Sequence, residues 1–231
     1  MSLPLTTPLI IFDWDGTVMD SVGRIVSSMQ LTARDLDLPV PTALAVRDII
    51  GISLMPAIDR LFGTLSESQL ERFFTVYRHY YIDADQTPSP VFPNAESVLQ
   101  RLHSQGFQLA VATGKARHGL ERVWAETGLD VWFHYSRCAD EAESKPHPKM
   151  LHDLLSESGF QAEQAIMIGD SVHDLRMAAN AGMAAIGVTF GAHPRERLQT
   201  ETALCLVDSW TELQSVLTQY NPSLTHHLVG S

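Results

Sequence analysis

Two aspartates, Asp13 and Asp15, lie two positions apart at the end of an apolar run and are followed by Gly16-Thr17. Carboxylates this close repel one another, so both ionise only with a cation between them or with one held protonated. The first is suited to attack an electrophilic phosphorus and form an acyl phosphate. The second is suited to protonate a leaving oxygen and afterwards to deprotonate water. The same residues also suit a solvated Asx turn after a strand. A second acidic pair, Asp170 and Asp174, follows Gly169 and is spaced by four. A helix starting near Ser171 would turn the second carboxylate back toward the first. Clustered with Asp13, these hard oxygens suit Mg²⁺. Helix capping by Asp170 or Ser171 is the other reading of that motif.

Two further segments handle anions. Thr113-Gly114-Lys115 ends another apolar run and offers a hydroxyl and backbone N–H groups at a helix start. It is not a P-loop, because Leu109 and Ala116 stand where that motif needs Gly and Ser or Thr. Lys145, in Ser144-Lys145-Pro146-His147-Pro148, lies in a segment whose prolines exclude mid-helix geometry. Held there, its charge would offset phosphate and carboxylate; on the surface it would be a solvated lysine.

The elements that must position these groups are legible as periodicity. Leu9–Phe12, 108–112 and 165–168 are continuous apolar runs, the mark of strands buried on both faces of a parallel sheet; 184–188 is a weaker one. Helical patterns occupy about 94–105, 116–127, 147–158, 172–181 and 210–219. Alternating strands and helices predict a parallel α/β sheet with its ligand beyond the strand carboxyl ends, where the three polar clusters would converge. Between Asp20 and about Pro90 the spacing is helical throughout, over 22–36, 43–50, 54–62 and 70–82, and 86–93 with its three prolines reads as a linker. This predicts a helical subdomain inserted into the α/β chain, with hinges near Met19 and Pro88, and a loose tail from Asn221.

Composition bounds the partners. The chain has 231 residues, with 16 Lys+Arg against 27 Asp+Glu and a net charge of −11. That balance argues against a nucleic-acid polymer as partner. No apolar run approaches the roughly 18 residues of a membrane span. Two cysteines, Cys138 and Cys205, form no disulfide framework and fit a reducing cytoplasm as small apolar side chains. Ten histidines include no HExxH pair; His118 and His173 are candidates for the rim of the site. Phe73, Phe74, Tyr77, Tyr80 and Tyr81 recur at helical spacing and are expected to form the core and surface of the helical insert. Arg47, ahead of Gly51, is a candidate contact for the end of a substrate remote from its phosphate.

Taken in order, Asp13-Trp14-Asp15-Gly16-Thr17, Thr113, Lys145 and Gly169 to Asp174 resemble the four motifs of the haloacid dehalogenase-like superfamily of aspartate-nucleophile phosphohydrolases. The stretch from Ile168 to Gly182, and Lys145 to Pro148, look like its phosphoglycolate phosphatase-like branch. Trp14 stands where that family usually has Phe. The resemblance covers Leu9 to about Trp210 and implies a Rossmann-like doubly wound parallel sheet, residues 1–18 and 91–231, with an inserted α-helical cap at 19–90. It implies Asp13 as nucleophile, Asp15 as acid and base, and Thr113, Gly114 and Lys145 as the phosphate site. It further implies Mg²⁺ on Asp13, Asp170 and the Asp15 backbone carbonyl, with Asp174 orienting Lys145 or a metal-bound water. The activity implied is hydrolysis of a small phosphorylated metabolite, phosphoglycolate-like or a sugar phosphate, by a cytoplasmic monomer or homodimer. A phosphomutase or pyrophosphatase on the same fold, or a non-catalytic phospho-switch, are the alternatives. The second acid, Asp15, argues against a true dehalogenase, because halide needs no proton to leave.

Overall fold

The computed structural model describes residues 9–219, so the expected tail from Asn221 lies outside the described residues. Strand β1, Leu9–Phe12, is wholly buried, and its side chains alternate between two hydrophobic clusters. Ile10 and Phe12 face one layer, Leu9 and Ile11 the other, as the two-residue period of a strand requires. The remaining strands are β2 (Gln108–Ala112), β3 (Tyr135–Arg137), β4 (Ala165–Gly169), β5 (Ala184–Val188) and β6 (Cys205–Val207). All pair in parallel, in the order β3-β2-β1-β4-β5-β6. The direction of winding therefore reverses between β1 and β4, where a doubly wound sheet opens its crevice. The four expected strands are present. The two unexpected ones, β3 and β6, are three-residue edge strands whose side chains are mostly half-buried.

Helices α1 (Val22–Asp35), α2 (Ala43–Arg47), α3 (Leu54–Phe62) and α4 (Glu67–His79) follow β1 directly. The helical spacing over 43–50 gives only the five residues of α2, with a turn after Arg47. Helix α4 begins at a capping box between Ser66 and Gln69 and continues through a wider π turn at Tyr80–Ala84. These helices enclose a hydrophobic cluster of their own, centred on Met29, Val46, Ile58 and the fully buried Phe73. The chain enters and leaves this layer side by side: the Asp20 N–H donates to the Pro90 carbonyl and the Phe92 N–H to that of Val18.

Six further α-helices follow among the described residues: α5 (Ala95–Ser104), α6 (Arg117–Thr127), α7 (Lys149–Ser158), α8 (Val172–Asn180), the short α9 (Arg195–Leu198) and α10 (Trp210–Gln219). Helices α5, α6 and α10 cover one face of the sheet, and α7 and α8 the other. Trp210 stacks on Phe12 at 5.5 Å, and its indole N–H donates to the Thr17 carbonyl, fixing the loop that carries Asp15. Cys138 is buried, with its thiol pushed up to about 12 by burial, and Cys205 is half-buried; both are free. Among the described residues no helix is long and apolar enough to cross a membrane.

Candidate active site

The acids occupy the first positions beyond the strands that flank the reversal. Asp13 follows β1, and its N–H still bonds the Ile168 carbonyl of β4 at 2.9 Å. Thr113 follows β2, with its N–H on the Arg137 carbonyl of β3 at 3.0 Å. Asp170 follows β4. Each side chain is thus aimed by a backbone that the sheet has already fixed. Gly16 allows the turn after Asp15 at φ 88°; a Cβ there would meet the Asp170 carboxylate at 2.1 Å.

Lys145, fully buried, donates from Nζ to Asp13 Oδ1 at 2.6 Å and to Asp174 Oδ1 at 2.7 Å. Burial opposes its charge, but Asp13 and Asp174 outweigh that and hold its pKa above the ordinary lysine range. Asp174 serves two readings with its two oxygens. Oδ1 takes the lysine, while Oδ2 accepts from the Ser171 N–H and hydroxyl, closing the capping box that starts α8. Asp170 Oδ1 accepts from the Thr17 hydroxyl at 3.2 Å and Oδ2 from the Ala192 N–H at 2.5 Å. Asp13 Oδ2 is buried and has no hydrogen-bond partner.

The ligand atoms of Asp13, Asp170 and Asp174 lie within 4.8 Å of one another. Three carboxylates share one ammonium there. Burial first, then Lys145 in opposition and the neighbouring Asp174 and Asp170 carboxylates, leave Asp13 well above the usual carboxylate range. Burial and Asp174 raise Asp170 to about 7. An orphaned buried oxygen within a hard-oxygen set of surplus negative charge fits a divalent cation.

Asp15 is held separately. Its Oδ1 accepts from the Ser21 hydroxyl at 2.7 Å, and its Oδ2 lies 3.0 Å from Lys115 Nζ. Lys115 also donates to the Tyr81 hydroxyl at 3.3 Å, so one ammonium joins Asp15 to the helical layer. Burial of Lys115 is outweighed by Asp15, which raises the lysine pKa. Thr113 Oγ1 accepts from the Lys115 N–H at 3.1 Å, which leaves the hydroxyl proton free for an anionic ligand. Gly114 lets the helical layer descend onto this loop: a Cβ there would sit 2.7 Å from both the Gly51 and Ile52 carbonyls.

Asp13, Asp15, Thr113, Gly114 and Lys115 line one cavity of about 750 Å³ beneath α1, α3 and α4. Lys145, Asp170 and Asp174 lie behind Asp13, off its wall. Arg47 does not line it; its guanidinium donates to the Gly191 carbonyl at 3.3 Å, clamping the helical layer to the loop after β5. His118 lines the cavity, whereas His173 is buried with Nε2 at 3.0 Å from the Asp48 carbonyl oxygen. Among the aromatics of α4, Phe73 is core as expected, but Phe74, Tyr77 and Tyr81 face the cavity. Sequence reasoning missed Ser21, the Lys115 side chain and the two tyrosines as site residues. Their signal was the spacing of Tyr77 and Tyr81 by four and the position of Lys115 directly after Thr113-Gly114.

Known proteins resemble this chain over most of its length. A model of the haloacid dehalogenase-like hydrolase family matches residues 10–188. The protein named "Probable phosphatase IndB" of Dickeya dadantii (strain 3937) is 36% identical over 212 residues, covering 89% of this chain and 91% of its own. A phosphoglycolate phosphatase of Vibrio parahaemolyticus serotype O3:K6 (strain RIMD 2210633) is 28% identical over 217 residues, 90% of this chain and 95% of that one. The crystal structure of a predicted phosphoglycolate phosphatase from Haemophilus somnus 129PT superposes with a TM-score of 0.83 at 25% identity, covering 94% of this chain and all of the other. With the family model spanning both strands that flank the acid cluster, the chain belongs to the haloacid dehalogenase-like hydrolases.

Proposed function

We propose that this hydrolase is a Mg²⁺-dependent phosphomonoesterase that works through an aspartyl phosphate on Asp13. The observation that carries the reading is Asp13 itself: Oδ1 is anchored by Lys145, while Oδ2 is buried and unpartnered. Fixed through Oδ1, the carboxylate presents Oδ2 with no hydrogen bond to break, and a cation among these acids would offset the cost of its negative charge before it attacks. Asp13 attacks phosphorus, the bond from phosphorus to the alcohol oxygen breaks, and Asp15 gives that oxygen its proton. Asp15 then takes a proton from water, whose oxygen displaces Asp13 and releases inorganic phosphate. Lys115 Nζ, 3.0 Å from Asp15 Oδ2, holds that side chain in position through both halves of the reaction. Thr113 and the Gly114 N–H hold the phosphoryl oxygens, Lys145 offsets their charge, and Asp174 keeps Lys145 in place. Mg²⁺, held by Asp13, Asp170 and the Asp15 backbone carbonyl, would supply further neutralisation of the phosphoryl charge. Residues 19–90 act as a cap over a core of 1–18 and 91–231, keeping bulk water from the acyl phosphate.

Phosphate release from a panel of phosphomonoesters, run with Mg²⁺, with a chelator and with Asp13→Asn, tests this. The expected result is turnover that chelation stops reversibly and that Asp13→Asn lowers by at least about 10⁴-fold without unfolding the protein. Turnover retained by Asp13→Asn would overturn the mechanism, and a rate indifferent to chelation would remove the metal. Phosphate moved within the substrate, with none released, would identify a mutase.

A further inference from the structure

The cavity above Asp13 and Asp15, at about 750 Å³, is far larger than the reaction alone needs. A two-carbon phosphate ester of about nine non-hydrogen atoms, at roughly the 30 Å³ a molecule takes in liquid water, fills about 270 Å³. Seating the phosphoryl group on Thr113 leaves room for about 15–20 further non-hydrogen atoms at that density.

The wall that would meet those atoms is apolar. Ile25 and Met29 come from α1, Ile50 and Ile52 from the turn before α3, and Leu54 and Met55 from α3 itself. No charged side chain from α1, α2 or α3 lines the cavity. Tyr77 and Tyr81 add a stacked pair of rings, with centroids 5.7 Å apart and planes at 23°. Three cations also line the cavity: Lys115, held by Asp15 at 3.0 Å, Arg122, paired with Glu126 at 2.6 Å, and Arg78 of α4. An anionic group placed against the face of α1 and α3 would lose its hydration and gain no counter-charge from those helices, while an apolar one gains from burial. Predominantly apolar walls with a smaller set of polar groups are the form of a site for a ligand with an apolar body and a polar head.

We infer that the alcohol half of the substrate is bulky, uncharged and predominantly apolar, an arylalkyl group or one of similar size, and that glycolate-like anions are poor substrates. This rests on the phosphomonoesterase reading above and specifies its substrate class. The cavity wall supplies discrimination through binding, and the acids at its base treat every primary phosphate ester alike.

The test compares wild-type kcat/KM for three primary phosphate esters, ethyl phosphate, 2-phosphoglycolate and 2-(2-naphthyl)ethyl phosphate, so that the reacting group changes little. The naphthylethyl ester is expected to exceed both others by at least 100-fold, mainly through KM. Leu54→Arg, shown to be folded by circular dichroism, should narrow its lead over phosphoglycolate at least tenfold. Calorimetric titration of the wild type with 2-(2-naphthyl)ethylphosphonate and ethylphosphonate gives a readout free of turnover. The larger phosphonate should bind at least 30-fold tighter, with a negative heat-capacity change. Hydrolysis with phosphoglycolate or ethyl phosphate preferred would overturn this inference and leave the phosphomonoesterase intact. Silence from every ester, with the phosphonate preference retained, would overturn the phosphomonoesterase reading and keep the apolar assignment of the cavity.

Discussion

The base and the roof of the cavity are built by opposite means. At the base, Asp13, Thr113 and Asp170 come from separate strand ends, and each sits in register because the sheet holds its backbone. Nearly every buried charge there has a named partner, and Lys145 alone binds two carboxylates. In the roof, contributed by α1 to α4, the organising contacts are apolar and come from one stretch of chain. A base of locked charges tolerates little change, because an unpaired buried charge is costly. An apolar roof can be repacked at modest cost so long as volume is kept. On the function proposed above, reaction and selectivity fall on parts of the chain that can change independently.

Three substitutions test that separation, in decreasing order of effect. Lys145→Met leaves Asp13 and Asp174 buried without their shared cation. It should lower stability by about 3–5 kcal/mol in denaturant unfolding and abolish turnover. Activity above about 1% of wild type would show that the base does not depend on this pair. Phe73→Ala empties the centre of the roof cluster and should cost about 3 kcal/mol. Its kinetic signature should be a raised KM with kcat nearly kept; an equal fall in kcat would mean that roof and base act as one. Lys115→Met, at the junction of the two, should lower kcat by about 10- to 100-fold by freeing Asp15 from its position. Lys115→Arg should restore most of that loss, and failure of the rescue would reduce Lys115 to a packing role.

The base was largely legible in the sequence because its signals are local. Continuous apolar runs marked β1, β2, β4 and β5, and the polar residues ending three of them supplied the acids and Thr113. Strands β3 and β6 escaped because Tyr135-Ser136-Arg137 and Cys205-Leu206-Val207 are short edge segments with no buried-strand pattern. The roof was legible as helices but not as a surface. Nothing in helical spacing tells which side of α4 meets the interior and which meets a cavity, so Tyr77 and Tyr81 read as ordinary core. Arg47 shows the same limit, since its direction depends on where Gly191 comes to lie. The competing capping reading, given for Asp170 or Ser171, is met at Ser171, whose box partner Asp174 gives one oxygen to the cap and the other to Lys145.

The central place of β1 has a consequence during synthesis. It is made before both of its neighbours, and at 5–20 residues per second about 5–20 s pass before β2 exists to pair with it. Throughout that interval Leu9-Ile10-Ile11-Phe12 has two open edges and no covering layer, the profile of a segment that nascent-chain chaperones shield. The contacts among α1 to α4, by contrast, are local and become available while β1 waits. The ribosome thus delivers the roof before the base is complete, and the clustered acids meet only when β4 arrives.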